Sequence, residues 1–126
     1  MRALLRALRT AIFRVPPARL VKVTVWDARF KVIETIIADA ELAAFGEIWS
    51  QKIEQPKETM TAYRYYLDLR HLRGSKYSTT RWLYDPSGLA KVLGIPFFGI
   101  RIPIYRIPSP DRFNQLLGID PEPTYP

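Results

Sequence analysis

The sequence predicts an α+β fold: an antiparallel sheet of about five to six strands, packed on one face by a helix, with short helices at its N- and C-terminal ends. Three observations predict it. Several runs of β-branched and aromatic residues alternate at period two. The connections between most of these runs are short, which favours antiparallel pairing. One stretch, 39–54, switches to helical periodicity, with Leu42, Phe45, Ile48, Trp49 and Ile53 on one arc and Glu47, Ser50, Gln51 and Glu54 on the other.

Taken in order, residues 2–14 of the N-terminal segment 1–16 read as a basic amphipathic helix. Leu4, Leu5, Leu8, Ala11 and Ile12 share one arc and Arg2, Arg6 and Arg9 the other, until Pro16-Pro17 stops it. Leu20 to Trp26 is a strand, with Val21, Val23 and Val25 alternating against Lys22, Thr24 and Trp26. Phe30 to Ile37 is a second strand, and Asp27-Ala28-Arg29 is short enough to make the two a hairpin. Asp39 offers an N-cap to helix 39–54, Pro56 closes it, and a close approach of helix to sheet would account for Gly46.

Thr59 to Arg70 is a long strand, with Tyr63, Tyr65, Leu67 and Leu69 on one face and Ala62, Arg64, Tyr66, Asp68 and Arg70 on the other. Residues 71–77 read as a loop and Ser78 to Tyr84 as the next strand. Asp85-Pro86-Ser87-Gly88 has the residues of a type I turn, which returns the chain along Leu89–Leu93. The apolar, Gly- and Pro-broken segment 95–100 either folds over the core or forms an exposed binding surface. Ile102 to Ile107 is a final strand that lies at an edge or begins after Pro103, which lacks an amide hydrogen, and Ser109-Pro110 begins a last helix that Gly118 ends. Residues 119–126 read as a loose Pro-rich tail.

The length of 126 residues suits one domain. Nineteen Lys and Arg against twelve Asp and Glu give a net charge of +7 and a pI of about 9.9, a balance that attracts anionic partners. The absence of Cys excludes thiol nucleophiles, disulfides and thiolate metal sites. One histidine, His71, cannot make a His-rich metal cluster, and pairing it with Asp68 or Asp85 for acid–base catalysis rests on sequence proximity alone. No phosphate-binding glycine loop or metal-ligand spacing occurs, so neither an enzyme nor a cofactor is expected. Without an apolar run long enough to span a bilayer or a good cleavage site, the expected location is the cytoplasm.

Function therefore points to binding. Tyr63 to Tyr84 is the densest basic and aromatic stretch, with Asp68 its one acid. The candidate contact surface is the sheet face opposite helix 39–54, with Arg64, Tyr66, Arg70, Arg81, Trp82 and Tyr84, extended by Arg73 and Lys76 in the hairpin loop. The expected partner is an anionic protein surface or a second copy of the chain. Nucleic acid, held by Arg and Lys with bases stacked on the rings, is the alternative. A membrane surface met by residues 2–14, or a small-molecule or enzymatic pocket between sheet and helix, are the remaining readings.

Overall fold

Alternating apolar residues give the longer strands one buried side, and these sides form one face of a single sheet. The computed structural model describes residues 17–56, 60, 64–94 and 102–119. Along the chain these form β1 (Arg19–Asp27), β2 (Val32–Ile36), α1 (Asp39–Trp49), β3 (Ile53–Glu54), β4 (Tyr65–Arg73), β5 (Lys76–Asp85), β6 (Leu89–Val92), β7 (Ile104–Arg106) and α2 (Pro110–Leu116). The sheet order is β2-β1-β4-β5-β6-β7-β3, with every neighbour antiparallel. The fold is thus the expected α+β arrangement. Its seventh strand, β3, comes from residues that the helical periodicity had claimed. The N-terminal helix 2–14, the 95–100 segment, residues 59 and 61–63 of the strand expected from Thr59, and the tail from 120 onward lie outside the described residues; Arg64 precedes the strand, which begins at Tyr65.

Helix α1 ends at Trp49 and not at residue 54. Leu42, Phe45 and Ile48 are buried, and Trp49 is half-buried, but Ile53 is 61% exposed because it belongs to β3 at the sheet edge. The N-cap is Ala38, with no side-chain capping bond; Asp39 is the first helical residue, where it still suits the positive end of the helix dipole together with Glu41. Nor does Gly46 mark a close approach, since a Cβ built there meets nothing within 4 Å outside its own helix. Helix α2 ends as expected. Gly118 adopts φ 70, its N–H donates to the Gln115 carbonyl, and the Ile119 N–H donates to the Asn114 carbonyl. This closing pattern brings Ile119 into the core, so the predicted tail does not begin at 119.

The core lies between the sheet and both helices. Val23, Val25, Ile36, Leu67, Leu69, Tyr84 and Ala90 meet Leu42, Phe45 and Ile48 of α1 and Phe113 of α2. Phe45 stands 5.2 Å from Phe113 and 5.5 Å from Trp49, and Trp49 meets Trp82 edge-on at 4.8 Å. These large rings dominate the apolar area removed from water.

Two substitutions test this packing by urea unfolding. Phe45→Ala should destabilise the fold by roughly 3–5 kcal/mol, because it empties a fully enclosed site. Gly46→Ala should stabilise it by about 0.5–1 kcal/mol, because the methyl group has room and the helix loses its most flexible residue. A destabilising alanine at position 46 would contradict the open space seen there.

Candidate functional site

The surface available for binding depends on the register of β4 and β5. Their turn contains only Gly74 and Ser75, so Arg73 pairs with Lys76, and the ladder runs on to Tyr65 opposite Tyr84. Gly74 has φ 62, a left-handed conformation that glycine adopts without penalty at the first central position of a two-residue hairpin turn. The predicted loop 71–77 is therefore mostly strand. This closure puts Tyr65, Leu67, Leu69 and His71 on the same face as Tyr84, Trp82, Thr80 and Ser78, the face that carries the helices. The far face carries Tyr66, Asp68, Arg70 and Leu72 beside Leu83, Arg81, Thr79 and Tyr77.

Five of the eight candidate residues do not form the surface expected of them. Tyr84 is completely buried on the helix side, and its hydroxyl donates a hydrogen bond to Oδ1 of Asn114. Asn114 Nδ2 in turn donates to the Pro86 carbonyl at 2.8 Å, tying α2 to the turn between β5 and β6. Trp82 faces the helices and packs against Trp49 and Tyr105. The ammonium of Lys52 lies 4.6 Å from the Trp49 ring, 5.7 Å from Trp82 and 5.5 Å from Tyr105. Burial holds its pKa below the ordinary lysine value. Arg64 precedes β4, at the end of the sheet away from the hairpin turn.

Tyr66 does occupy the far face but is only 9% exposed, because Phe30 stacks on it at 4.4 Å. Phe30 holds φ 60 in the β1–β2 turn, an uncommon conformation for an aromatic residue. Asp27 builds that turn: its Oδ1 accepts hydrogen bonds from the backbone N–H groups of Arg29 and Lys31, both at 2.9 Å. Arg81 is neutralised. Its Nε donates to Asp68 Oδ1 at 2.7 Å and its Nη2 to Oδ2 at 2.9 Å, while Trp26 Nε1 donates to the same Oδ2 at 3.0 Å. These hydrogen bonds from Arg81 to Asp68 raise the Arg81 pKa further above its ordinary value. The guanidinium also lies over Phe30, 5.2 Å from the ring centroid.

Arg70, Arg73 and Lys76 remain, all exposed and all near the turn end of the hairpin. The sheet adds Lys22, which sequence reasoning did not select, directly opposite Arg70. Two like-charged cross-strand pairs, Lys22 with Arg70 and Arg73 with Lys76, thus occupy one end of the sheet, one pair on each face. Arg19 begins β1 at the same end. The strand segments that meet there, 19–22, 69–73 and 76–80, contain no acid. The Arg70 guanidinium carbon lies 4.3 Å from the centroid of the Tyr77 ring.

His71 and Asp68 alternate onto opposite faces of β4, so the strand does not assemble them as an acid–base pair. Desolvation, and then the charge of Arg73, hold the His71 pKa below its ordinary value. Open depressions among the described residues include two beside the sheet. One, of about 400 Å³, lies between the helices and is lined by Glu34, Glu41, Ala44, Ile48, Arg112, Gln115 and Leu116. The other, of about 440 Å³, is lined by Asp68, Thr79, Thr80, Arg81, Leu93 and Gly94. Among the described residues there is no cluster of three potential metal ligands, and no helix is long and apolar enough to cross a membrane.

In comparisons with protein-family models, with curated proteins and with solved structures, nothing matches this chain.

The buried phenol gives an alkaline test. Burial, followed by the charges of Asp85 and Asp111, pushes the Tyr84 pKa above its ordinary value. An acid whose folded pKa is raised contributes stability below its unfolded pKa of about 10, and that contribution is lost as pH rises through the folded value. Stability of the wild type should therefore fall more steeply above about pH 10 than that of Tyr84→Phe, by at most ~1.4 kcal/mol per pH unit. Equal slopes in urea unfolding across this range would place the ionisation elsewhere. At neutral pH Tyr84→Phe should cost about 1–3 kcal/mol, because it leaves the buried Asn114 carbonyl oxygen without its donor.

Proposed function

We propose that this protein is a non-enzymatic binding module that holds an acidic partner at the turn end of the β4–β5 hairpin, through Arg70, Arg73 and Lys76 with Lys22 beside them. The observation that carries this reading is the two pairs of like-charged cross-strand neighbours, Lys22 with Arg70 and Arg73 with Lys76, at one end of the sheet, where the segments 19–22, 69–73 and 76–80 contain no acid. Like charges directly opposite each other destabilise a sheet. Fold stability gives no reason for two such pairs, whereas an anionic surface would be attracted by the field they create. The acid nearest in sequence, Asp68, is already engaged by Arg81 and Trp26, so it leaves this field in place.

A protein partner is favoured over nucleic acid by the state of the rings. Base stacking needs open aromatic faces. Tyr66 is covered by Phe30, while Trp82 and Tyr84 face the helices. Tyr77 is exposed, but Arg70 lies over its ring. The cytoplasm is the location in which we place this activity.

The test is a salt titration of binding to fluorescent poly-L-glutamate, with an oligo-dT single strand in parallel. Changing Arg70, Arg73 and Lys76 together to Ser should leave the thermal midpoint close to that of the wild type or slightly higher. At about 50 mM salt it should weaken poly-glutamate binding at least tenfold, and the difference should fade by about 0.5 M. Binding that is unchanged by the triple substitution across the titration would sink the reading. Tighter binding to oligo-dT than to poly-glutamate would transfer the site to nucleic acid.

A further inference from the structure

The same basic hairpin carries a second feature that charge alone does not use. Strand β5 is longer than its neighbour: β6 pairs with it only from Trp82 to Asp85. The next bond, from the Leu93 N–H to the Arg81 carbonyl at 2.8 Å, is the last between them among the described residues, which here end at Gly94 with φ 76. Lys76 to Thr80 are all exposed, and among the described residues no strand pairs with them on the side away from β4. In an antiparallel ladder, backbone groups point alternately to the two sides of a strand. The Arg81 carbonyl points away from β4, toward Leu93, so the N–H and C=O of Thr79 and Tyr77 point the same way.

We infer that this edge takes an extended acidic peptide from the partner as an added strand, antiparallel or parallel to β5, in line with the position that β6 leaves. The inference rests on the proposed acidic-partner reading and names the form in which that partner is held. The outward donors and acceptors of Tyr77 and Thr79 recur every second residue, which is the repeat of a peptide strand. Side chains of the incoming strand alternate between the two faces. Arg70 faces one side and Arg73 and Lys76 the other, so carboxylates on either face have a cation. The depression lined by Thr79, Arg81, Leu93 and Gly94 lies where the incoming strand would meet the end of β6. A second copy of β5 is disfavoured, because it would bring its own Lys76, Arg73 and Arg70 against these.

Two blocked peptides of alternating Glu and Thr, seven residues long, provide the probe. One is unmodified. The other carries N-methyl groups at alternate residues, which keep the charge but prevent ladder pairing. The unmodified peptide should slow amide exchange of Tyr77 and Thr79 at least about tenfold, leaving Ser78 and Thr80 little changed, and the N-methylated peptide should bind at least about tenfold more weakly. Thr79→Pro removes one outward donor without breaking a β4 bond and should weaken binding comparably. Because exchange is read on the wild type, the outcome stands even if the proline variant folds poorly.

Equal affinity for the two peptides, or unchanged exchange at Tyr77 and Thr79 at saturation, overturns strand addition. If the Arg70, Arg73 and Lys76 triple variant still abolishes binding in that case, the acidic-partner reading survives without it. Failure of both peptides to bind while poly-glutamate binds has the same meaning. Slow exchange at Tyr77 and Thr79 before any peptide is added, with a mass that grows with concentration, would assign the edge to a second copy.

Discussion

The two-residue turn at Gly74 and Ser75 is the constraint on which the rest of the surface depends. Side chains alternate along a strand, so a shift of one residue in the β4–β5 register would exchange the faces of β5. With Arg73 opposite Lys76, Trp82 and Tyr84 go to the core and Arg81 comes beside Asp68. With that pairing broken, the Asp68 carboxylate would lose its guanidinium, and the Tyr84 hydroxyl could not reach Asn114. The turn therefore decides both what the helices pack against and which cations remain open.

On the far face, one carboxylate organises its neighbours. Asp68 accepts from Trp26 on β1 and from Arg81 on β5, so it links three adjacent strands. Phe30 covers Tyr66 beside it, despite the left-handed backbone that this position demands. The pair is only partly buried, so its energetic contribution is modest. Its larger consequence is spatial. It removes one cation from the surface and separates an aromatic, neutral middle from a basic end.

The helix side follows a different logic. Phe45, Trp49, Phe113, Trp82 and Tyr84 form a continuous set of rings, closed by Asn114, the one buried polar side chain among the described residues. Both of its amide ends are used, by Tyr84 and by the Pro86 carbonyl. A buried amide with both ends paired is compatible with a dense core. At the rim, Lys52 lays its ammonium among Trp49, Trp82 and Tyr105, so that aromatic surface is covered from within the chain.

Local pattern alone determined the fold class, the strands from Leu20 to Trp26 and from Leu89 onward, the apolar arc of α1, and the two termini of α2. Each depends on neighbours a few residues away: alternation, turn residues, and a glycine where the backbone must turn left-handed. The same local rules placed Tyr66, Asp68 and Arg70 on one face of β4, and did so correctly. They failed where partners are distant. Ile53 carries the helical period but pairs with Arg106, and nothing within the helix pattern encodes that bond. Arg81 looks as free as Arg70 in the sequence, yet a carboxylate thirteen residues earlier neutralises it. Lys22 gave no signal, because its significance lies in facing Arg70 across two strands. Charge and periodicity are properties of the chain, whereas exposure and pairing are properties of the register, and only the folded sheet sets the register.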